Sequence, residues 1–448
     1  MKRTLIHNAL IVNEGQTVQG SVVITDRGQI AEVLTHGKPL SAPCDETVDA
    51  TGCYLLPGVI DDHVHFRDPG LTHKADILSE SRAAAAGGVT GIMDMPNTNP
   101  LTTTLDALAA KQELLAERCI VNHSCYFGAT NTNYTDFAKL DRTRVCGIKL
   151  FMGSSTGNML VDRAESLRAI FGGTDMLIAA HCEDSVVIRR NMEKYKELYA
   201  EEDDVPVNRH PDIRSAAACY ASSHLAVQLA EEAGARLHLL HISTARELKL
   251  LHAGRVQEKR ITGEACVAHL LFTRADYRTL DTLIKCNPAI KGKADREALR
   301  QAVNGDVIDV IATDHAPHLI TEKKGGALKA MSGMPMIQFS LVSMLQLVDE
   351  GVFSIEKVVE KMCHAPALLY RIRGRGFIRE GYQADLVLVR PQSAWTLDKT
   401  LVQSKCGWSP LEGRSFDWKV ERTFINGHTV FEDGHVDESY RGDALRFD

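Results

Sequence analysis

The stretch "DDHVHFRDPG" (residues 61–70) follows the short apolar run "GVI" (residues 58–60) and ends in a Pro-Gly turn. In a β-strand, residues two apart share a face, so His63, His65 and Arg67 would all point the same way. Two imidazoles and a guanidinium on one face suit a binding site better than an apolar core. A surface strand with a chance polar face is the alternative, and the rest of the chain must decide between them.

The bulk composition is that of an ordinary globular protein. The 448 residues are 44% hydrophobic and 24% charged, and the length predicts one large domain with a smaller one. The formal net charge is −7, and acids and bases are mixed along the chain without a basic stripe. We therefore expect no nucleic-acid partner.

The cysteines and the N-terminal segment bear on the compartment. The eleven cysteines are scattered, with no C-x-x-C pair, which favours free thiols in a reducing compartment over disulfides or a thiolate zinc site. The apolar runs of residues 1–16 are broken by His7, Asn8 and Asn13, so neither a signal peptide nor a membrane span is expected there. By elimination, we expect a cytoplasmic protein that does not interact with membranes.

The two ends of the chain share a sequence pattern typical of short β-strands. Runs such as "TLIHNALIVN" (4–13) and "YQADLVLVRP" (382–391) have strand length and are separated by glycines and charged turns. Chains that begin and end in this way commonly build one small domain from both termini. We predict a small β-sandwich domain from residues 1–56 and 372–448.

The middle of the chain alternates short apolar runs with amphipathic helical segments, which is typical of βα units and a parallel sheet. Segments 101–118 and 222–235 are credible helices, the first with a threonine N-cap and the second ending near a glycine. The candidate strands are "GVIDDHVH" (58–65), "GVTGIMDMP" (88–96), "IVNHSCYFG" (120–128), "GIKLFM" (147–152), "DMLIAAHC" (175–182), "RLHLLHIS" (236–243), "RITGEACV" (260–267) and "DVIATDH" (309–315). Eight such units predict an α/β fold, a (β/α)8 TIM barrel over residues 57–371.

Most of these strands carry a group that binds metal or titrates, usually at the end of the strand. These residues are His63, His65, Lys149, His181, His241 and Asp314. Because the carboxyl ends of the strands form the catalytic mouth of such a barrel, residues far apart in sequence would converge there. If the eighteen histidines were distributed at random, they would not be found at strand ends so consistently. This argues against the alternative that residues 61–70 form a surface strand with a chance polar face.

This ligand set suits a divalent first-row metal, most plausibly zinc, and exceeds what one catalytic zinc takes while keeping an open position. Two metals sharing a bridging water would use it fully. Lys149 leaves two interpretations open. It could extend outward from its strand, or its neutral amine could react with carbon dioxide to give a carbamate that binds both metals.

Seven motifs together resemble the dihydroorotases of the amidohydrolase superfamily. They are "DDHVHFRDPG" (61–70), "MDMPNTNP" (93–100), "IKLFMG" (148–153), "AAHCED" (179–184), "LLHIS" (239–243), "KCNPAIKG" (285–292) and "ATDHAPH" (312–318). The resemblance covers essentially the whole chain, and H-x-H-x-R combined with M-P-N-T is its most specific part. It implies that His63, His65, Lys149, His181, His241 and Asp314 bind two zinc ions per subunit, bridged by carboxylated Lys149 and a hydroxide.

The same resemblance implies a set of substrate contacts. The carboxylate of a cyclic amide would be held by Arg67, Asn97 and His318, and the ring would be contacted by Asn287 and by the backbone around Ser332 and Gly333. Guanidinium suits this role because it meets a carboxylate through two parallel hydrogen bonds. The alternatives are a surface salt bridge for Arg67 and turn-forming roles beside proline for the two asparagines.

The implied reaction is the reversible interconversion of (S)-dihydroorotate and N-carbamoyl-L-aspartate in pyrimidine (UMP) biosynthesis. The bridging hydroxide would attack the ring carbonyl, and Asp314 would be the catalytic residue that moves its proton to the leaving nitrogen. The partner is thus a small-molecule substrate, and relatives suggest a homodimer.

Two departures from the dihydroorotase pattern keep other substrates open. The chain has "VAHLL" (267–271) in place of P-H-H-L, and "NRHPDIRSAAA" (208–218) lacks a glutamate that often follows its proline. One alternative is a dihydropyrimidinase, hydantoinase or allantoinase, whose substrates lack the ring carboxylate. A second is a non-catalytic barrel kept for assembly, although such a protein would be expected to have lost a metal ligand.

Overall fold

The computed structural model describes residues 2–153 and 159–448. The chain begins with five strands, of which β1 and β2 form an antiparallel hairpin and β4 and β5 run parallel to β1. These strands are β1 (Arg3–Asn13), β2 (Gln16–Thr25), β3 (Ile30–Thr35), β4 (Glu46–Asp49) and β5 (Tyr54–Pro57).

The next nine strands form a closed parallel barrel, as the repeated βα pattern predicts. They are β6 (Val59–Val64), β7 (Val89–Asp94), β8 (Asn122–Cys125), β9 (Phe127–Gly128), β10 (Ile148–Met152), β11 (Ile178–Cys182), β12 (Leu237–Leu239), β13 (Ile261–Cys266) and β14 (Val310–Ala312). β8 and β9 are two halves of the third barrel strand, one paired with β7 and the other with β10. The amide of His65 donates to the His315 carbonyl at 2.8 Å, which joins the ends of the first and last strands. The predicted (β/α)8 barrel is confirmed.

Helices follow most of the barrel strands and cover the outside of the sheet. They are α1 (Ile77–Ala86), α2 (Leu105–Arg118), α3 (Ala164–Gly172), α4 (Ser185–Leu198), α5 (His210–Ile213), α6 (Ala216–Ala233), α7 (Val267–Leu271), α8 (Tyr277–Leu280), α9 (Lys293–Asn304), α10 (Ser340–Asp349), α11 (Ile355–Val359) and α12 (Ala365–Tyr370). Both predicted helices are present. Thr104 caps α2 through a bond from the Ala107 amide, and Gly234 ends α6 with a φ of 64°.

The two ends of the chain meet in one nine-stranded sheet, as the sequence predicts. The remaining strands are β15 (Leu386–Arg390), β16 (Trp395–Thr396), β17 (Ser415–Phe416), β18 (Lys419–Ile425), β19 (His428–Glu432) and β20 (His435–Val436). β15 pairs antiparallel with β5 and thereby joins the C-terminal strands to the N-terminal ones. The domain limits at residues 56 and 372 stay a prediction.

The segment between β15 and β18 leaves the terminal sheet and returns to the barrel, which the sequence did not predict. The Ser404 hydroxyl donates to Glu80 at 2.6 Å, and the Trp408 indole donates to the His318 carbonyl at 2.8 Å. The terminal segment therefore supports the backbone of a residue that we predict to contact the substrate. No helix in the described ranges has the length and apolar character that crossing a membrane requires.

Candidate functional site

The six predicted metal ligands lie together at the carboxyl end of the barrel. Lys149 and His181 lie within β10 and β11, and the others lie at or just beyond the ends of β6, β12 and β14. All six line one cavity of about 960 Å³, together with the predicted substrate contacts. Sequence positions up to 251 residues apart are thus brought to a single opening, as the barrel topology requires.

Asp314 and the imidazoles form a continuous cluster. Asp314 Oδ1 lies 3.2 Å from His63 Nε2 and 3.1 Å from His65 Nε2. The His63 and His241 rings lie 5.3 Å apart, and His181 Nδ1 lies 2.9 Å from His241 Nε2. Ligand atoms of His63, His241 and Asp314 fall within 4.8 Å of one another, a spacing that one metal ion can bridge.

Glu264 orients two members of this cluster from inside the barrel. Its carboxylate lies 3.0 Å from His63 Nδ1 and accepts the backbone N–H of His241 at 2.8 Å. A carboxylate on Nδ1 fixes the tautomer that leaves Nε2 free as a metal ligand. Glu264 is fully buried on β13, and the sequence analysis missed it.

Glu183 plays a comparable part beside His181. Its Oε2 lies 3.1 Å from His181 Nε2 and is also paired with Arg214. Burial alone would raise the pKa of Glu183, but Arg214 and the bond from His181 hold that pKa at about 2. With Nε2 bound to a carboxylate, Nδ1 is the nitrogen that His181 presents to the cluster.

Lys149 is buried, and its amine faces the cavity. Its side chain is 1% exposed, and Nζ lies 4.5 Å from the centre of the Phe151 ring. Within residues 2–153 and 159–448, Nζ has no hydrogen bond or ion pair. Burial lowers the pKa of Lys149 to about 8, against the opposing pull of Asp314 and Glu264. The outward-pointing alternative is wrong, because the amine lies inside the barrel mouth.

The donor set fits a metal centre. The buried Nδ1 of His241 has no hydrogen-bond partner among the described residues. Burial, followed by His181 and His63, holds the pKa of His241 far below its ordinary value, so its ring is neutral. Neutral imidazoles, a carboxylate and an amine that can lose its proton are ligands that divalent metals accept.

Three of the predicted site residues adopt a left-handed backbone conformation, which is uncommon outside glycine. The φ angles are 66° for Arg67, 39° for His241 and 48° for Asp314. Such conformations cost free energy and cluster at functional sites, where the surrounding structure holds them. Here they turn the chain abruptly at the strand ends and aim the side chains into the mouth.

Arg67 is a buried cation without a carboxylate partner. Its side chain donates from Nε to the Pro317 carbonyl at 3.1 Å, and Nη2 lies 3.2 Å from His318 Nε2. The residue is 8% exposed, and no described acid lies within ion-pair distance. Since a guanidinium has five N–H donors, most of them remain free to meet a ligand from the cavity. The surface salt-bridge alternative for Arg67 is wrong.

His318 is positioned by a residue that the sequence analysis missed, Lys74. The Lys74 ammonium lies 3.1 Å from His318 Nδ1 and 2.7 Å from Glu322. On the other side of the ring, Nε2 lies 3.1 Å from the Ser332 carbonyl and 3.2 Å from Arg67 Nη2, so His318 is placed between two cations. Burial, Arg67 and Lys74 all lower the pKa of His318, which keeps the ring neutral.

The two predicted asparagine contacts are both held by histidines. Asn97 Oδ1 lies 2.8 Å from His65 Nδ1, and Asn287 Oδ1 lies 3.1 Å from His210 Nε2. His210, from α5, was not predicted; burial lowers its pKa well below the ordinary value, so it is neutral and donates from Nε2. Because the oxygen of each asparagine faces a histidine, its amide N–H₂ group is left for the cavity that both residues line. An asparagine that only formed a turn would not have its side chain fixed in this way.

Gly333 lines the cavity, but its peptide groups are already used. Its N–H donates to the Lys285 carbonyl at 2.8 Å, and its carbonyl accepts from Lys323 at 2.8 Å. A Cβ at this position would lie 2.5 Å from the Ala316 carbonyl oxygen and 3.0 Å from the His318 ring. Glycine is required here for close approach. Of the two predicted residues, Ser332 is the one whose backbone N–H has no partner in the described ranges.

The family model described as "Amidohydrolase family" matches residues 54–430. The chain belongs to this amidohydrolase family. It is a cyclic amide hydrolase, since the relatives below are hydrolases of that kind. The family is generally metal-dependent, which agrees with the clustered metal-binding side chains described above.

Curated relatives of this amidohydrolase differ in substrate. It is 34% identical to a dihydroorotase from Halobacterium salinarum over 89% of this chain and 91% of the relative. It is also 30% identical to an allantoinase from Solibacter usitatus over 100% of this chain and 97% of the relative. Among solved structures, the L-hydantoinase of Arthrobacter aurescens has a TM-score of 0.91 with 26% identity, covering 97% of both chains. The predicted superfamily resemblance is confirmed.

The sequence analysis did not predict four residues that support the site. For two of them, the sequence contains a pattern that could have indicated their role. Glu264 interrupts the apolar strand "RITGEACV", and Glu183 follows His181 by two positions, on the same face of an extended chain. Lys74 and His210 lie in loops or short helices, where no periodicity reports which way a side chain points.

Proposed function

We propose that this cyclic amide hydrolase is a dihydroorotase, which interconverts N-carbamoyl-L-aspartate and (S)-dihydroorotate with two zinc ions. The observation that carries the proposal is that the buried Arg67, beside the metal-ligand cluster, has no carboxylate partner among the described residues. A buried charge without a partner is costly, whereas a ligand carboxylate would neutralise it. Dihydroorotate carries such a carboxylate on its ring; dihydrouracil, hydantoin and allantoin do not.

Several neutral donors around Arg67 support this assignment. Asn97 presents its amide group, and Ser332 retains a free backbone N–H within the described structure. Lys74 adds a second positive charge behind His318. An acceptor-only carboxylate surrounded by donors and cations would have all its lone pairs satisfied.

The metal centre in this proposal uses the six clustered residues, with Lys149 carboxylated. Its buried amine has a lowered pKa and no hydrogen-bond partner in the described ranges, so a neutral, reactive form is accessible near neutral pH. Two zinc ions held here would polarise the amide carbonyl and make a bound water acidic. The carbamate and Asp314 would supply the anionic ligands.

Asp314 is the proton carrier in this proposal. Burial alone would raise its pKa, but His63, His65 and Lys149 lower the pKa well below the ordinary value, so the carboxylate is ionised. In hydrolysis it takes a proton from the attacking water as the new C–O bond forms. It returns that proton to the ring nitrogen as the C–N bond breaks; ring closure reverses each step.

The competing candidate is hydrolysis of a neutral cyclic amide, favoured by the structural likeness to the L-hydantoinase and by the allantoinase relatives. Purified enzyme should be assayed with dihydroorotate, dihydrouracil, hydantoin and allantoin, in wild type and Arg67→Met. We expect turnover of dihydroorotate, lost in Arg67→Met with metal content unchanged. Preferred turnover of a neutral substrate, or full dihydroorotate activity in Arg67→Met, would contradict the proposal.

A further inference from the structure

A second cavity lies at the opposite end of the barrel from the metal-ligand cluster. It has a volume of about 570 Å³ and is bordered by Arg236 and Arg260, which immediately precede β12 and β13, and by the chain that follows α12. These positions mark the amino ends of the barrel strands. The cavity is therefore separate from the candidate active site, and its size suits a ligand of nucleotide dimensions.

The lining of this cavity is strongly basic, although the whole chain has a net charge of −7. Seven basic side chains border it against two acidic ones, Glu258 and Asp448. The basic residues are Arg236, Lys259, Arg260, Arg371, Arg373, Arg375 and Arg379. The basic surface continues into an adjoining cavity of about 410 Å³, which Arg373 and Arg375 also line together with Arg446.

Four of the seven cations are already neutralised. Lys259 pairs with Asp309, and Arg375 with Asp385. Two more pairs join Arg373 with Asp448 and Arg379 with Glu14. These residues contribute to the fold and leave little charge for a ligand.

The other three cations, Arg236, Arg260 and Arg371, have no carboxylate partner among the described residues. Arg236 donates to the Leu369 carbonyl and Arg260 to the Gly234 carbonyl, which leaves most of their N–H donors unused. The Arg371 side chain makes no hydrogen bond or ion pair in the part of the chain that the structure describes. Arg371 ends α12 with a φ of 58°.

Arg236 lies close enough to Arg371 and Arg260, with which it lines the cavity, to feel their charges. Burial lowers the pKa of Arg236, and the charges of Arg371 and Arg260 lower it further, with Asp175 acting in the opposite direction. Arg260 and Arg371 are exposed and Arg236 is half-buried, so their charges are accessible from solvent, and an anion bound between them would be attracted by all three. The arrangement therefore points to an anionic ligand with several charges.

We propose that this cavity binds the diphosphate or triphosphate group of a small molecule, through Arg236, Arg260 and Arg371. Guanidinium matches phosphate oxygens through paired hydrogen bonds, and three of them suit a polyphosphate better than a single carboxylate. Recognition would rest on the phosphates rather than on a base, since Phe377 is already stacked on His364 at 4.3 Å and both Phe377 and the other aromatic lining residue, Tyr382, have Arg379 over their rings, at 4.2 and 5.6 Å. Inorganic pyrophosphate and a nucleoside triphosphate should therefore bind alike.

The test is calorimetric titration of the metal-loaded enzyme with inorganic pyrophosphate, with ATP and with a short polyaspartate peptide. The variants are Arg371→Glu and a control, Arg168→Glu, which makes the same charge change at an exposed arginine on α3. We expect saturable binding of pyrophosphate and of ATP to wild type and Arg168→Glu, weakened at least about tenfold in Arg371→Glu. Turnover should be retained in both variants, which shows that they are folded.

Three results would overturn the proposal. The first is no saturable binding of pyrophosphate or ATP to wild type. The second is equal binding to wild type and Arg371→Glu, which would place the phosphates elsewhere, for instance at the metal centre. The third is binding of the acidic peptide alone, which would make this face a protein-docking surface. None of these results depends on which cyclic amide the enzyme hydrolyses.

Discussion

Asn97 Oδ1 accepts a hydrogen bond from His65 Nδ1 at 2.8 Å, so a predicted substrate contact directly supports a predicted metal ligand. The bond fixes the His65 tautomer that leaves Nε2, 3.1 Å from Asp314, free for metal. It also fixes the asparagine amide, whose N–H₂ group then faces the cavity. Carboxylate recognition and metal binding are therefore linked through one side-chain pair.

This link predicts that Asn97→Ala affects both functions. Loss of a residue that orients a metal-binding histidine typically lowers metal affinity or activity about 10–100-fold, and the lost amide donor should also raise KM for dihydroorotate. Zinc per chain after dialysis, measured by mass spectrometry alongside kcat and KM, checks both effects. Asn304→Ala is the matched control, because Asn304 is exposed on α9, lies outside the cavity lining, and also loses one side-chain hydrogen bond, to the Val352 carbonyl at 2.8 Å. A raised KM with fully retained zinc would disprove the supporting role.

Lys149→Ala should remove the bridging ligand and release at least one metal ion. Because the side chain is buried and faces the cavity, the substitution leaves space in which a small carboxylate can bind. We expect turnover to fall at least about 100-fold, with partial recovery of zinc and activity in acetate or propionate. Exposed Lys194→Ala, assayed with the same acids, is the control. Wild-type zinc content in Lys149→Ala would refute the bridging role.

Carboxylation of Lys149 should depend on pH in a defined direction. Only the neutral amine reacts with carbon dioxide, and the pKa of Lys149 is lowered from 10.5 to about 8. The neutral fraction therefore increases as the pH rises towards 8 and levels off above it, so at pH 6 it is about a hundredfold smaller than at pH 9. Metal-free protein in ¹³C-bicarbonate should show a carbamate signal at pH 9 that fades towards pH 6. The same signal in Lys149→Ala would rule out this lysine as its source.

Lys74→Met should weaken substrate binding by removing a cation beside His318. The substitution removes the hydrogen bond between the Lys74 ammonium and His318 Nδ1, and with it a positive charge beside the proposed carboxylate site. A hydrogen bond to a charged group contributes about 1.5–3 kcal/mol, so KM should rise about tenfold or more while zinc content stays unchanged. Lys38→Met is the matched control, since it breaks an exposed pair with Glu380 at 2.6 Å, close to the 2.7 Å of Lys74 and Glu322. An unchanged KM would show that Lys74 has no part in recognition.

The fold was predictable because its determinants are local and repeated. Eight apolar runs alternate with helical segments, and residues such as His63 and Asp314 mark the strand ends where a barrel places its site. That the two chain ends, here β5 and β15, pair in one sheet was predicted only from their similar strand-like sequence patterns. The return of segment 395–418 to the barrel was not, because it depends on long-range bonds such as that from Trp408 to the His318 carbonyl.

The site residues that could be predicted are those whose side chain can bind metal and which also lie in or at the end of a predicted strand. Residues in loops were harder to predict. Lys149 could be selected because a lysine inside an apolar strand is conspicuous. Lys74 is one lysine among many in a loop, and only the folded chain places it 3.1 Å from His318. Gly333 was predicted as a ring contact through its backbone, but the bond from its N–H to the Lys285 carbonyl is a tertiary contact that no local pattern reports.

The most direct test of the central claim is a crystal structure of the zinc-loaded enzyme with anomalous data at the zinc edge. The proposal predicts two anomalous peaks, one beside His63, His65 and Asp314 and one beside His181 and His241. It also predicts density for three additional atoms beyond Lys149 Nζ, lying between the peaks. A single peak, or an unmodified Lys149 amine next to two occupied sites, would contradict it.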